Sequence, residues 1–361
     1  MKQINKILLI IQRSNGDVFF SNSLIHYLTK NFFGASIDLL INDDTIATAR
    51  TLSNINKIHL FSYKKKKQNR YAQELKILNG IYKKYDLAIN LTASDRSVLY
   101  CLLSGKKTIS AVEPSLRKSW WKRIFLSHSY IFDINKHILL NNFEALNILK
   151  LQHSNRVIPI QISEKTNTKV KNYLSKENLT QFFIFHPSAQ YDYKIYPEGL
   201  RNELIRILCE NSIKIVVTGG NSYLDKKISK TIPKNKGVIN LIGKTSLEEY
   251  AALSKHSLGY IGMDTLNMHI AASQNKRLFC IFGPTNINMW SPWSNHLKTC
   301  ASDNLPVQTY GEITIFQAGL PCVPCGKAGC NDQHDKSLCL DHINPDVVYQ
   351  EIQNFVINQK I

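Results

Sequence analysis

No apolar run in this 361-residue chain is long enough to cross a bilayer, which takes about 20 consecutive apolar residues. Near the start, Ile7 to Ile11 is closed by Gln12 and Arg13, too short also for the core of a secretory leader. The expectation is a cytoplasmic protein. Acidic side chains are also scarce: 27 Asp and Glu face 45 Lys and Arg, for a formal net charge of +18. The imbalance is uneven. Residues 1–160 hold 24 basic and 10 acidic side chains, a net +14, while residues 161–361 carry only +4. That asymmetry suggests an anionic partner, with a merely solubilising surface as the alternative. No recognisable nucleic-acid-binding module accompanies the charge, so nucleic acid is not the expected partner.

What is present describes a folded protein of two domains. Hydrophobic residues make up 43% and charged residues 20% of a chain too long for one ordinary core. "KILLIIQ" is a short buried-strand run followed by the turn "RSNGD". "FFSNSLIHYLTKNF" then alternates at helical spacing, and "SIDLLIN", "YDLAINL", "KKTISAV" and "RVIPIQI" read as further strands. A polar stretch over 161–181 precedes a restart: strand "FFIFHP", a helix near 197–211, strand "IKIVVTGG", a helix near 221–231 and strand "GVINLIG". Helix "SLEEYAALSKHS" and strands "LGYIGM" and "RLFCIFG" follow. In "NPDVVYQEIQNFVINQ", residues Val347, Val348, Ile352 and Phe355 share a helical face. Strands alternating with helices imply two α/β, doubly wound, Rossmann-like domains facing a cleft. We place the first at 1–170, the second at 171–345 and a closing helix at 346–361.

The stretch "GYIGMDTLNMHIAASQNKRLFCIFGPT" (259–285) puts Asp264 and Thr265 where a buried strand stops and a helix starts. First-turn backbone N–H groups and the helix dipole favour a phosphate there. Thr265 adds a hydroxyl donor, whereas Asp264 caps the helix or receives a sugar hydroxyl. An Asp/Thr N-cap with no ligand reads equally well. Cys322, Cys325, Cys330 and Cys339 are separated by two, four and eight residues, a spacing open to a structural zinc or to reduced thiols.

In order along the chain, "RSNGDVFFSNSL", "HPSAQYDYKIYP", "LIGKTSLEEYAALSKHSLGYIGMDTLNMHIAA" and "IFGPTNINMWSPW" resemble motifs of glycosyltransferase family nine, the ADP-heptose:lipopolysaccharide heptosyltransferases. The resemblance implies a glycosyltransferase B-type fold and an inverting transfer from ADP-heptose to the inner core of lipopolysaccharide, with no cofactor for catalysis. It assigns Asp17 as general base, with Gly16 allowing the turn, and Lys194 as the diphosphate cation. Ser188, Gly219, Met263, Asp264, Thr265 and His269 join Lys194 as the donor set, with His269 reading equally well as a residue packed against the sheet. Left to itself, a Gly-Asp pair is more often an ordinary turn. Leu266 stands where members usually have Gly, Ser188 often likewise, and Tyr196 where they often have Trp.

The family's first domain takes a phosphorylated lipid A–core acceptor. Arg13 and the basic stretches "YKKKKQNR" and "SLRKSWWKR" suit it through Lys64, Lys65, Lys66, Lys67, Arg117, Lys118, Lys122 and Arg123. Trp120 and Trp121 among those cations suit an anionic inner-membrane surface and hence a peripheral location. The remaining readings are transfer from another nucleotide sugar, such as an N-acetylhexosamine donor, or a non-catalytic nucleotide- or nucleic-acid-binding protein.

Overall fold

The computed structural model describes residues 4–334 and 336–358. The chain divides at Gln161/Ile162 into two compact units. The first alternates strand and helix: β1 Lys6–Ile11, α1 Asn15–Asn31, β2 Ser36–Asn42, α2 Ile46–Ala49, β3 Ile55–Phe61, α3 Tyr63–Gln68 and α4 Arg70–Ile81. It continues with β4 Tyr85–Asn90, α5 Asp95–Ser104, β5 Gly105–Val112, α6 Leu116–Phe125, β6 His128–Ile131 and α7 Ile138–Leu149. The strands form one parallel sheet in the order β3-β2-β1-β4-β5-β6. Ile7 to Ile11 are wholly buried, as a strand covered on both faces requires. The order reverses between β1 and β4, so the loops leaving these two strands flank the position where such sheets take ligands.

The second unit contains α8 Glu164–Lys176, β7 Phe183–His186, α9 Glu198–Glu210, β8 Ile215–Val217, α10 Tyr223–Thr231, β9 Val238–Asn240 and α11 Leu247–His256. After them come β10 Gly259–Met263, α12 Leu266–Ser273, β11 Arg277–Phe282, α13 Ile287–Trp290, β12 Val307–Tyr310, β13 Ile313–Gln317 and α14 Pro345–Asn358. Its sheet runs β12-β13-β11-β10-β7-β8-β9, all parallel except β12. Here the reversal lies between β7 and β10. Among the described residues no helix is long and apolar enough to cross a membrane.

Two sequence expectations are corrected. "RVIPIQI" is not a strand. Its backbone is held by α1 side chains: Asn22 donates to the carbonyls of Ile158 and Pro159, and Ser23 Oγ accepts from the Ile158 N–H. Pro159 also lacks the N–H that a ladder needs. Along α14, Val348 and Ile352 are buried and Phe355 packs on the core through Phe183 and Phe279, but Val347 points outward.

Close strand packing leaves no room at Gly262, in the middle of β10. Its φ is +153°, and a Cβ there would meet the His186 carbonyl oxygen of neighbouring β7 at 2.3 Å. Gly262→Ala should therefore cost about 2 kcal/mol or more in denaturant unfolding. Gly199→Ala, in α9 where a Cβ meets nothing within 4 Å, should be neutral or slightly stabilising.

Candidate active site

The second sheet brings its ligand-facing residues to the carboxyl ends of β7, β8, β10 and β11. Asp264 follows β10 and is nearly buried; Lys194 comes from a short helical turn at Asp192–Lys194 in the loop after β7. Lys194 Nζ donates to Asp264 Oδ2 at 2.9 Å. Burial alone would push the Asp264 carboxyl up, but the Lys194 ammonium, with His269 and the Thr285 hydroxyl, holds it below its ordinary value. Burial likewise opposes the charge on Lys194, and Asp264 more than restores it. The pair is thus an ionised carboxylate and ammonium in a largely water-excluded place.

Thr265 is the N-cap of α12, and its hydroxyl makes no capping bond, lying 3.5 Å from the Tyr260 hydroxyl. The first turn of α12 therefore begins beside a fixed cation, the combination that suits an anionic oxygen. Tyr260 donates to the Met263 carbonyl at 2.7 Å, fixing the end of β10. The Met263 side chain is buried in the core cluster of this unit, so at this position the backbone borders the site. Leu266 opens α12 with ordinary backbone geometry, so no glycine is required at that position.

Ser188 is buried, and its hydroxyl donates to Asp225 Oδ1 at 2.5 Å. Asp225 also accepts from the backbone N–H groups of Gly220 and Ser222 and from Ser222 Oγ. This network ties the β7 loop to the β8 loop at Gly219, where an added Cβ would press on Asp225 and Ile242. Tyr196 is buried and donates to the Ile343 carbonyl at 2.5 Å, anchoring the Lys194 loop to the segment before α14. The sequence reading passed over Asp225 and Thr285. Thr285 stood inside a quoted motif, but nothing in its residue type marked it as Asp264's neighbour.

In the first unit Asp17 occupies the N3 position of α1 and is almost fully buried. Its Oδ2 accepts from the Ser14 N–H at 3.1 Å and from Ser14 Oγ at 2.7 Å, while Arg13 Nε lies 2.6 Å from Oδ1. Asp17 thus sits in a capping box rather than on a free turn, and Gly16 needs no left-handed conformation. A carboxylate carries about four lone-pair sites, so these donors orient it without exhausting it. Arg13 is engaged with Asp17 and with the face of Phe132, 4.4 Å away.

Lys64 to Lys67 are exposed on α3. Arg117 and Lys118 are exposed, and Arg123 is half-buried with Nε donating to Ser119 Oγ. Lys122 departs from expectation: it is completely buried, its ammonium bound to Glu113, Asp95 and the Ala93 carbonyl, so it is a structural cation. Arg96 escaped the sequence reading. It starts α5 beside the sheet reversal, stacks 3.8 Å over Phe61, and donates to Gln12 and the Tyr63 hydroxyl.

None of the four clustered cysteines forms a disulfide. Cys339 packs on Val323, between Cys322 and Cys325, and Cys330 Sγ accepts from the Leu338 N–H. Among the described residues no three His, Cys, Asp or Glu side chains form a metal-holding group.

Each unit thus carries a doubly wound, mostly parallel sheet, and the second holds a partly buried cation beside a helix start. The model for glycosyltransferase family 9 (heptosyltransferase) matches residues 74–317, and the chain belongs to that family. Lipopolysaccharide heptosyltransferase 3 of Escherichia coli is 25% identical over 79% of this chain and 85% of its own. The solved ADP-heptose lipopolysaccharide heptosyltransferase II of E. coli superposes with a TM-score of 0.70 at 18% identity, covering 99% of this chain and all of the other. An E. coli heptosyltransferase solved with ADP gives a TM-score of 0.68 at 15% identity, covering 97% and 99%.

Two buried imidazoles border the site. Burial pushes His186, at the end of β7 and bonded to Thr218 Oγ1, and His269, on α12, down to about 4. The unfolded chain takes up these protons near pH 6.5 and the folded protein does not, so their contribution is complete above pH 6.5 and is lost as pH falls towards 4. Unfolding free energy should fall over that window by up to about 3 kcal/mol per ring. The slope should flatten in the His186→Gln/His269→Gln variant, measured by urea titration at stepped pH.

Proposed function

We propose that this protein transfers heptose from ADP-heptose to the inner core of a lipopolysaccharide or lipooligosaccharide, inverting the anomeric carbon. The observation that carries the reading is the Lys194–Asp264 pair at the N-cap of α12. A cation held in a low-dielectric place beside helix N–H groups stabilises the charge that a leaving diphosphate gains, without a metal. Asp264 or Thr265 receives a hydroxyl of the donor, with Ser188, Gly219, Met263 and His269 shaping the surrounding loops.

In the transfer step the acceptor hydroxyl oxygen forms a bond to the anomeric carbon as the bond from that carbon to the diphosphate oxygen breaks. Asp17 takes the hydroxyl proton, and ADP leaves with the bonding pair. Arg13 and Ser14 hold the Asp17 carboxylate in one orientation for this. The exposed cations Lys64 to Lys67, Arg117 and Lys118, with half-buried Arg123, meet the phosphates of a lipid A–core acceptor at the cytoplasmic face of the membrane. The cysteine loop is read as a structural element able to take zinc. Its thiols fit a soft cation in type and spacing, and closing Cys322 and Cys325 on Cys339 would complete the ligand set. That clip stands outside the chemistry.

Asp17→Asn keeps the size of the side chain and removes the base. Transfer to a purified core acceptor should fall by about two to four orders of magnitude, with the dissociation constant for ADP-heptose unchanged. Near-normal turnover would remove Asp17 from the mechanism. Faster transfer from a UDP-N-acetylhexosamine than from ADP-heptose would overturn the donor.

A further inference from the structure

Helix α6 turns its apolar side the wrong way for a helix serving only its own core. The inward face is held by Ser119 and Lys122, both fully buried, and by Trp121, which packs on the core of the first unit. The Lys122 ammonium, 2.6 Å from Glu113 and 2.7 Å from Asp95, fixes the rotation of the helix about its axis. Rolling the helix would leave a fully buried ammonium without its carboxylates, so α6 is not free to roll. What faces solvent is therefore set: Leu116, Trp120 and Ile124, one turn apart, and Phe125 beside them. They are 65%, 58%, 67% and 67% exposed. Four large apolar side chains on a ten-residue helix are a patch, not scattered exposure.

The surround is cationic. Arg117 and Lys118 are exposed on the same helix and Arg123 is half-buried. α6 follows β5, and α3, with Lys64 to Lys67 exposed, follows β3 in the same parallel sheet. Both helices therefore start from the carboxyl edge that also carries Asp17.

We infer that α6 is a membrane-docking helix whose Leu116, Trp120, Ile124 and Phe125 enter the headgroup–acyl boundary of an anionic bilayer while Arg117, Lys118 and Arg123 bind lipid phosphates. The inference deepens the proposed function and rests on its lipid-anchored acceptor. An aliphatic and indole stripe bordered by cations matches a bilayer surface, where apolar depth lies just beneath phosphate. A nucleic-acid strand would call for stacking aromatics, and Leu116 and Ile124 offer none. Docking by this helix sets the carboxyl edge of the first sheet at headgroup level, where an anchored saccharide presents its hydroxyls.

The test is co-sedimentation of the full chain with phosphatidylethanolamine vesicles, with and without phosphatidylglycerol, at about 0.15 M salt. Wild type should partition onto the anionic vesicles only. Leu116→Ser/Trp120→Ser/Ile124→Ser should lower the partition coefficient at least about tenfold. Arg117→Gln/Lys118→Gln should also lower it about tenfold or more. Brominated acyl chains should quench tryptophan emission in wild type and much less in Trp120→Phe. The apolar triple variant should keep its circular dichroism and its transfer rate to a delipidated, soluble acceptor. Unchanged partitioning of that variant would overturn the inference. So would a dimer, or a duplex nucleic-acid complex, that depends on the same three residues in a chain that ignores vesicles. Vesicle binding through α6 without transfer to any acceptor would sink the proposed function and leave the docking helix standing. Transfer without vesicle binding would do the reverse.

Discussion

One ion pair, Lys194 with Asp264, constrains the second unit more than any other contact at its site. A carboxylate this deeply buried stays ionised only with a cation in contact, and losing Lys194 strands it at a cost of several kcal/mol. Several features of the fold keep the two together. Tyr196, two residues after Lys194, is bonded to the Ile343 carbonyl, and Tyr260 fixes the end of β10 through the Met263 carbonyl. Thr285, from the loop after β11, is buried close to Asp264. Loops from three neighbouring strands therefore converge on one pair of charges, at the point where the sheet order reverses.

The first unit is built on the same topology with the opposite arrangement of charge. Its central carboxylate, Asp17, is oriented locally by Arg13 and Ser14 within a single helix start. The excess positive charge lies outside, on α3 and on the outer side of α6. Among the described residues of this unit, the one cation drawn fully inside, Lys122, is matched by Glu113 and Asp95. Buried charges here are paired and unpaired cations are solvated, as desolvation costs demand.

How much of this was legible in the sequence depended only in part on burial, since β12 and the fully buried β13 were both passed over. The central strands β1, β7, β10 and β11 are continuous apolar runs bounded by turn residues, and their positions and the family motifs at their ends could be read directly. The edge strands β3 and β6 were missed because neither shows an uninterrupted apolar run. In "INKIHLF" the apolar residues are broken up by Asn56, Lys57 and His59, and only His59 and Phe61 are buried. "RVIPIQI" has strand composition, yet side chains of α1 claim its backbone. Lys122 and Trp121 read as surface residues in a basic run, and only three-dimensional neighbours show that the helix turns both inward. Asp225, Thr285 and Arg96 were invisible for the same reason: their partners lie 37, 21 and 84 positions away in Ser188, Asp264 and Gln12.

If Lys194 is the seat of a diphosphate, its worth should appear in binding of the leaving group alone. Isothermal titration of ADP and of adenosine into wild type and Lys194→Met measures this most directly. The account predicts that ADP affinity falls about 30-fold or more, the loss of a charge-assisted contact in a low-dielectric site, while adenosine affinity stays within a factor of about two. Equal losses for both ligands would mean that the substitution damaged the loop rather than a phosphate contact. Undiminished ADP affinity would contradict the assignment of the Lys194–Asp264 pair to the donor.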